Sequence, residues 1–226
     1  MRAPTAAVKT WLRERGLTLT LSALFLVFAA GMAVTGWQVA GQDALDHGST
    51  PPAFGEYLAS GDFAEAMFEN WESEFLQMAA YVVLTIFLFQ KGSSESKSLE
   101  GGEAVDEDPR AHRDDPKAPW PVRRGGVVLV LYENSLIILF ALLFAGSFVA
   151  HLVGGVAAYS EEQLQHGRPG VTPLEYLGES QFWFESFQNW QSEFLAVAVL
   201  VAAAVFLRQR GSPESKPVAA PHAETG

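Results

Sequence analysis

The sequence contains no cysteine, which excludes disulfide frameworks, thiolate metal sites and cysteine nucleophiles. It also lacks a surplus of basic residues, because 15 Lys and Arg stand against 26 Asp and Glu for a formal net charge of −11. Nucleic-acid binding needs clustered positive charge, so we expect no nucleic-acid partner. The sequence has no phosphate-binding loop, dinucleotide fingerprint, Gly-x-Ser-x-Gly or His-Glu-x-x-His motif. We therefore predict a protein that is not an enzyme and uses no cofactor.

Apolar residues make up 49% of the chain and are concentrated in four runs. The first and third runs each supply about 20 residues, the length needed to cross the hydrocarbon core of a bilayer. The second and fourth are shorter, so a helix there must extend back through a polar Asn-Trp-x-Ser-Glu-Phe motif to cross. We predict an all-α integral membrane protein with four transmembrane helices, and the lipid bilayer as its partner. The predicted spans are about 17–37, 71–90, 134–154 and 190–208.

The chain also contains an internal repeat. A displacement of about 119 positions aligns its two halves without a gap, most strongly where Asn70 to Leu76 meets Asn189 to Leu195. Since each half holds two predicted spans, we expect two helical hairpins in the same orientation, unlike an inverted-repeat transporter. The predicted divisions are repeat 1 at 1–97, a disordered cytoplasmic linker at 98–125, repeat 2 at 126–216 and a disordered tail at 217–226.

Basic residues set the predicted orientation. All Lys and Arg except Arg168 lie in the N-terminal arm, the central linker or the C-terminal tail. By the positive-inside rule, both termini and the linker are cytoplasmic and the connection within each repeat faces outward. Four tryptophans fall near the predicted membrane boundaries, as interfacial anchors do: Trp11, Trp37, Trp71 and Trp190.

Each outer connection begins with an acid and a histidine four residues apart, followed by glycine. Such a pair could bind a metal or exchange a proton. We favour helix capping, in which the histidine complements the helix dipole and the glycine adopts a left-handed conformation. No metal site is predicted from these residues, which are Asp43, His47 and Gly48 in one copy and Glu162, His166 and Gly167 in the other.

Amphipathic helices rich in aromatic residues are predicted on the outer surface at 38–70 and 156–188. Their apolar faces either lie on lipid or pack together as a lid over the bundle.

Polar residues inside the predicted membrane region are candidate functional residues, because a carboxylate there is costly to bury. Each copy of the motif places a glutamate, Glu74 or Glu193, near the outer edge of the hydrocarbon. His151 lies at a similar depth, where it could bond one of these glutamates. The remaining members of this candidate site are Asn70, Tyr81 and Asn189. They indicate either a cation or proton site, or hydrogen bonds that only join helices.

A row of small residues on the third span is typical of close contact between transmembrane helices. Gly146, Ala150 and Gly154 form this row, which we assign to packing within the bundle or in a homo-oligomer.

The chain resembles an uncharacterised bacterial family of four-helix membrane proteins that is catalogued as a domain of unknown function. The resemblance covers nearly the whole chain and rests on the His-Gly, Glu-Tyr-Leu and Asn-Trp-x-Ser-Glu-Phe elements and on Gln90-Lys91-Gly92-Ser93. It implies a bacterial inner membrane, and it implies no catalytic residues, cofactor or substrate. We predict a non-enzymatic scaffold or interaction module with an unknown protein partner. The alternative is a small cation or proton channel or transporter that uses Glu74 and Glu193.

Overall fold

The computed structural model describes residues 4–225, with side chains from residue 8 onward, and within that range it contains helices and no strand. The chain divides into two compact units, residues 1–64 and 65–226. The helices are α1 (Pro4–Glu14), α2 (Gly16–Asp46), α3 (Phe54–Leu58), α4 (Gly61–Phe87), α5 (Trp120–Arg124), α6 (Gly126–Glu133), α7 (Ser135–Gln165), α8 (Pro173–Tyr176) and α9 (Ser180–Phe206).

Within the part of the chain that the structure describes, three helices are long and apolar enough to cross a membrane, namely α2, α7 and α9. They agree with the first, third and fourth predicted spans. Helices α4 and α9 are both 27 residues long, but α4 is less apolar. Glu72, Glu74 and Gln77 interrupt its apolar run and lower its mean hydropathy.

In the first unit, aromatic side chains hold the segment that follows α2 against that helix. The indole Nε1 of Trp37 donates a hydrogen bond of 2.8 Å to the carbonyl of Pro52. Tyr57 lies against Gly36, where its hydroxyl occupies the space that a Cβ would need. The ring of Tyr57 also meets Phe63 edge to face, with centroids 5.5 Å apart. Glycine at position 36 therefore allows the loop to approach the helix closely.

The second unit contains the same arrangement about 119 residues later. Tyr176 lies against Gly155, and its hydroxyl oxygen would be 2.8 Å from an added Cβ. The rings of Tyr176 and Phe182 meet edge to face with centroids 5.6 Å apart. Both Tyr176 and Phe182 are completely buried. The local packing of a loop tyrosine on a helix glycine thus occurs once in each unit.

The ends of α2 and α7 follow the capping interpretation. His47 and His166 occupy the C-cap positions, and the Nδ1 atom of each lies within 2.9 Å of a carbonyl oxygen one turn earlier. Gly48 and Gly167 both have a φ of +71°, the left-handed conformation that glycine adopts without steric cost. The acid and histidine pairs therefore terminate helices.

The predicted bounds of the outer helices, 38–70 and 156–188, are wrong, because only the short α3 and α8 are separate helices within these ranges. Helix α2 continues without a break to Asp46, and α7 continues to Gln165. On the return side, α4 and α9 are each one continuous helix that includes the aromatic segment. No proline or internal glycine occurs within α4 or α9, so nothing in the sequence turns these helices where the apolar run begins.

The linker and the tail, both predicted to be disordered, contain ordered turns. Two short 3-10 helices, Ala104–Asp106 and Pro109–His112, lie in the linker, and Lys97 pairs with Asp106 at 2.6 Å. Immediately before the tail, Lys216 is only 2% exposed. It donates to three backbone carbonyls, those of Pro221, His222 and Glu224, at 3.2, 3.1 and 2.7 Å. Amino-acid composition alone does not predict these hydrogen bonds between the Lys216 ammonium and the backbone that follows it.

Candidate functional site

Ionisable side chains from four helices meet in the interior of the second unit. We call this group the His151 cluster and define it by six residues: Glu65 and Glu72 on α4, His151 on α7, Tyr176 on α8, and Glu185 and Trp190 on α9. His151, Glu72 and Tyr176 have no exposed surface. Burial of a histidine and a carboxylate is costly unless their polar atoms are paired, so the hydrogen bonds of the cluster decide its chemistry.

The imidazole of His151 lies between two carboxylates. Its Nδ1 atom is 2.8 Å from Oε2 of Glu72, and its Nε2 atom is 3.4 Å from Oε2 of Glu185. The ring also stacks on Phe182 with centroids 4.8 Å apart. Trp190 donates its indole N–H to the other oxygen of Glu72 at 2.9 Å. Because Glu72 accepts at both oxygens, the network assigns a hydrogen to Nδ1 and directs Nε2 towards Glu185.

The hydroxyl of Tyr176 lies between the other two carboxylates. It is 2.9 Å from Oε1 of Glu65 and 3.1 Å from Oε2 of Glu185. Burial, followed by the charges of Glu65 and Glu185, raises the pKa of Tyr176 above its usual range. The phenol therefore keeps its single hydrogen and donates it to one of the two carboxylates at a time.

Negative charge exceeds positive charge in the cluster. Three carboxylates surround one imidazole, so a fully protonated ring would balance only one of them. Within the described residues, the hydrogen-bond and ion-pair partners of Glu65, Glu72 and Glu185 include no Lys or Arg. In a low-dielectric interior such an excess requires further positive charge, from bound protons or from a metal ion.

Three members of the cluster converge closely enough to share one ion. Glu65, His151 and Glu185 each offer one ligand atom, and these atoms lie within 4.8 Å of one another. The side-chain amide of Gln181 donates a hydrogen bond to Oε1 of Glu185 and restrains this carboxylate. The sequence-based prediction of no metal site did not consider this group.

The predicted pairing of His151 with Glu74 or Glu193 is wrong. His151 bonds Glu72 and Glu185, while Glu74 is exposed and Glu193 is half-buried. Glu72 and Glu74 are two residues apart and point in different directions on a helix, so a small error in helix rotation changes which of them faces the interior.

The other predicted polar residues have separate positions. Asn70 is exposed and donates to the carbonyl of its own helix at Ala66. Asn189 is half-buried and donates to the carbonyl of its own helix at Glu185, 3.1 Å away. Tyr81 lies further along α4, where its hydroxyl donates to the carboxylate of Glu95 at 3.1 Å. Tyr81 therefore belongs to the end of the helix, away from the cluster.

The four predicted tryptophan anchors also differ in their contacts. Trp11 is 46% exposed, and the guanidinium of Arg15 lies 5.2 Å from its ring centroid. Trp37 binds the loop of the first unit as described above, and Trp71 packs between two phenylalanines of α4. Trp190 is a member of the cluster. Its role there is to donate to Glu72, which the membrane-boundary interpretation did not anticipate.

The buried face of α7 is not the predicted row of small residues. Gly154 is buried, but Gly146 is exposed, and nothing lies within 4 Å of a Cβ added there. The buried face of α7 consists of Ser147, His151, Gly154 and Gly155. Of these, Gly155 matters most for the cluster, because an added Cβ would lie 2.7 Å from Oε1 of Glu65.

Sequence reasoning missed Glu65, Glu72, Tyr176 and Glu185. One signal was present, since Glu65, Glu69 and Glu72 follow the i, i+4, i+7 spacing of a single helix face. A second signal was that Glu65, Glu72 and Glu185 have no acidic counterpart in the other repeat.

Comparison with known proteins places the chain in a family. A family model described as a domain of unknown function, DUF6766, matches residues 8–226. The chain belongs to this family. The DUF6766 match includes every member of the His151 cluster and confirms the predicted resemblance to a domain of unknown function. No curated protein and no solved structure matches the chain.

Proposed function

We propose that the chain is a non-enzymatic integral membrane protein that binds a cation at the His151 cluster. The observation that carries this proposal is the group of three carboxylates around one buried imidazole, in which Glu72 is also buried and Glu65 and Glu185 are half-buried. Of the two predicted functions, the geometry favours the cation alternative, with Glu65, Glu72 and Glu185 in place of Glu74 and Glu193. The scaffold interpretation stays a prediction that rests on the sequence alone.

The proposal includes a fourth membrane crossing by α4. A helix of 27 residues is about 40 Å long, which exceeds the thickness of the hydrocarbon core. Three polar side chains of α4 are buried in the protein: Glu72, Ser73 and Gln77 are 0, 1 and 5% exposed. These groups would not face lipid. Polar residues inside membrane proteins face the bundle interior in this way.

The proposed arrangement is two hairpin repeats in the same orientation in a bacterial cytoplasmic membrane. The distribution of Lys and Arg supports cytoplasmic termini and a cytoplasmic linker. His151 then lies near the outer end of the predicted span 134–154, although it is at the middle of α7, so that the cluster is nearer the outer than the inner surface. This position gives a cation in the outer compartment a short route to the site.

Single-cysteine labelling tests this topology, and the absence of native cysteine makes it clean. We expect Ser49→Cys and Glu161→Cys to react with a membrane-impermeant maleimide on intact cells. Ala111→Cys, in the linker, is expected to react only after the membrane is permeabilised. All three positions are exposed, so burial within the protein does not explain protection. Labelling of position 111 on intact cells, or protection of positions 49 and 161, would contradict the proposed orientation.

Cation binding to the folded state must stabilise it, because the unfolded chain does not assemble the cluster. We expect a saturating cation to raise the melting temperature of the purified, chelator-treated protein by about 5–10 °C, which corresponds to about 2.7 kcal/mol at 100 times Kd. The double variant Glu65→Gln with Glu185→Gln should lose this shift, because it removes two of the three carboxylates.

The assay compares Na⁺, K⁺, Mg²⁺, Ca²⁺, Mn²⁺, Co²⁺ and Zn²⁺ on protein in nanodiscs. Glu74→Gln is the matched control, since it makes the same chemical change at an exposed position on α4. A shift by any of these ions in the wild type and in Glu74→Gln, but not in the double variant, supports the proposal. If no ion shifts the wild type, or if the double variant responds equally, the proposed function is wrong.

A further inference from the structure

We infer that the cation is a divalent first-row transition metal ion, bound by Glu65, by Nε2 of His151 and by Glu185. This inference rests on the proposed function and specifies its ligand. Its first support is the group of three converging ligand atoms, all within 4.8 Å of one another. Three protein ligands with room for water or another ligand are typical of metal sites that exchange or use their ion.

The hydrogen bonds of His151 give the second support. A hydrogen on Nδ1 that points to Glu72 leaves a lone pair on Nε2 when the imidazole is neutral. That lone pair faces Oε2 of Glu185 at 3.4 Å, so two acceptors oppose each other where the histidine is fully buried and the glutamate side chain is 15% exposed. A metal ion between them would satisfy both. Protonation of Nε2 would add one positive charge against three carboxylates, whereas a divalent ion would add two.

The distance between these two atoms fits a shared ion. Around a tetrahedral Zn²⁺ with bonds of about 2.0–2.2 Å, neighbouring ligand atoms lie about 3.3–3.6 Å apart. The observed 3.4 Å between Nε2 of His151 and Oε2 of Glu185 falls within this interval. The same distance is near the upper limit for a direct N–H···O hydrogen bond.

The groups around the three ligands match an outer coordination shell. Ligating histidines usually donate their other ring N–H to a carboxylate, as His151 donates to Glu72 at 2.8 Å. Glu72 is itself fixed by the indole N–H of Trp190 at 2.9 Å. The ligating carboxylates are also restrained, since Glu185 accepts from the side-chain amide of Gln181 and Glu65 lies 2.9 Å from the hydroxyl of Tyr176. Each ligand is therefore oriented by a further hydrogen bond.

The donor set selects the class of ion. Ca²⁺ and Mg²⁺ prefer oxygen ligands alone, whereas an imidazole with carboxylates suits Mn²⁺, Fe²⁺, Co²⁺ or Zn²⁺. The absence of cysteine removes thiolate ligands. The sequence also specifies one ion per chain, because the positions related by the repeat to His151, Glu185 and Glu65 hold Met32, Ala66 and Phe184. None of those three side chains is a metal ligand in this donor class.

Co²⁺ is the first probe, because its visible d–d absorption reports coordination by nitrogen and oxygen. We expect the chelator-treated wild type in nanodiscs to bind one Co²⁺ per chain, and one equivalent of Zn²⁺ to displace it. X-ray absorption on the Zn²⁺-loaded wild type should show one imidazole among oxygen ligands. This second measurement needs no variant and so does not depend on the folding of one.

Variants then assign the ligands. Glu72→Gln keeps the shape of the outer-shell residue and should weaken Co²⁺ binding about 10–100-fold. Glu65→Gln and Glu185→Gln remove ligands and should weaken it more. His166→Gln removes an exposed histidine beside an acid and should leave Co²⁺ binding unchanged, as should Glu74→Gln. Circular dichroism and gel filtration of each variant show whether the helices and the monodisperse state are retained.

The outcomes separate this inference from the proposed function. If Mg²⁺, Ca²⁺, Na⁺ or K⁺ stabilises the wild type while Co²⁺ and Zn²⁺ do not, the protein binds a cation but the inferred metal class is wrong. If Co²⁺ binding is equal in the wild type, Glu65→Gln and Glu185→Gln, the ion lies elsewhere and the assigned ligands are wrong. If Zn²⁺-loaded protein shows no imidazole ligand, His151 is protonated and the metal inference fails.

Discussion

Replacing His151 with Met should lower the free energy of unfolding by about 3–5 kcal/mol in the chelator-treated protein. His151 is fully buried and contacts two carboxylates, at 2.8 and 3.4 Å. Methionine fills a similar volume and is the residue at the repeat-related position, Met32. The variant therefore removes the only imidazole of the cluster and leaves Glu72 buried without its partner. Removal of one member of a buried pair is costly because the remaining charge is uncompensated.

Denaturant unfolding in mixed micelles, followed by circular dichroism, measures this effect. His166→Met is the control, because it makes the same change at an exposed C-cap position and should cost at most about 1 kcal/mol. Adding Glu72→Gln to His151→Met should restore part of the loss, because it removes the orphaned charge. Equal losses at positions 151 and 166, or no recovery in the double variant, would contradict the role of His151 as the counter-charge.

A single methyl group at Gly155 should disturb the cluster without changing its charge. A Cβ there would lie 2.7 Å from Oε1 of Glu65 and 2.8 Å from the hydroxyl oxygen of Tyr176. Both contacts are shorter than side chains tolerate, so Tyr176 or α8 must shift. We expect Gly155→Ala to destabilise the protein by about 1–3 kcal/mol. It should also weaken cation binding, because Tyr176 orients Glu65 and Glu185.

Gly146→Ala on the same helix is the matched control. Nothing lies within 4 Å of a Cβ at that position, so the substitution should be neutral or stabilising by about 0.5–1 kcal/mol through helix propensity. The two variants are compared by denaturant unfolding and by Co²⁺ titration. If both behave alike, close packing at Gly155 does not support the site. A loss of binding with unchanged stability would instead show that Tyr176 acts mainly as a positioning residue.

The helices and their ends could be predicted from the sequence because they depend on local patterns. Long apolar runs indicate α2, α7 and α9, and a histidine followed by glycine indicates where α2 and α7 end. The capping box of α8 is equally local, since Thr172 and Glu175 exchange hydrogen bonds three residues apart. In each case the interacting groups lie within a few residues of one another.

The site could not be predicted in the same way because it depends on which helix faces meet. The duplicated motif directed attention to Glu74 and Glu193, whereas the cluster uses Glu72, whose repeat-related residue is Gln191. Duplicated residues such as Gly155 and Tyr176 build the packing that occurs once in each unit. The three carboxylates and the imidazole of the cluster have no counterpart of the same kind at a displacement of 119 residues. These unmatched residues, and not the matched Glu74 and Glu193, form the cluster.

The enclosure of Lys216 has a practical consequence for handling the protein. Its ammonium donates to the carbonyls of Pro221, His222 and Glu224, and these hydrogen bonds replace those that water would make. Truncation after residue 216 would remove all three carbonyl acceptors and leave the charged ammonium without them, although the composition of residues 217–226 predicts a disordered tail. An affinity tag is better appended beyond residue 226 than substituted for the last ten residues.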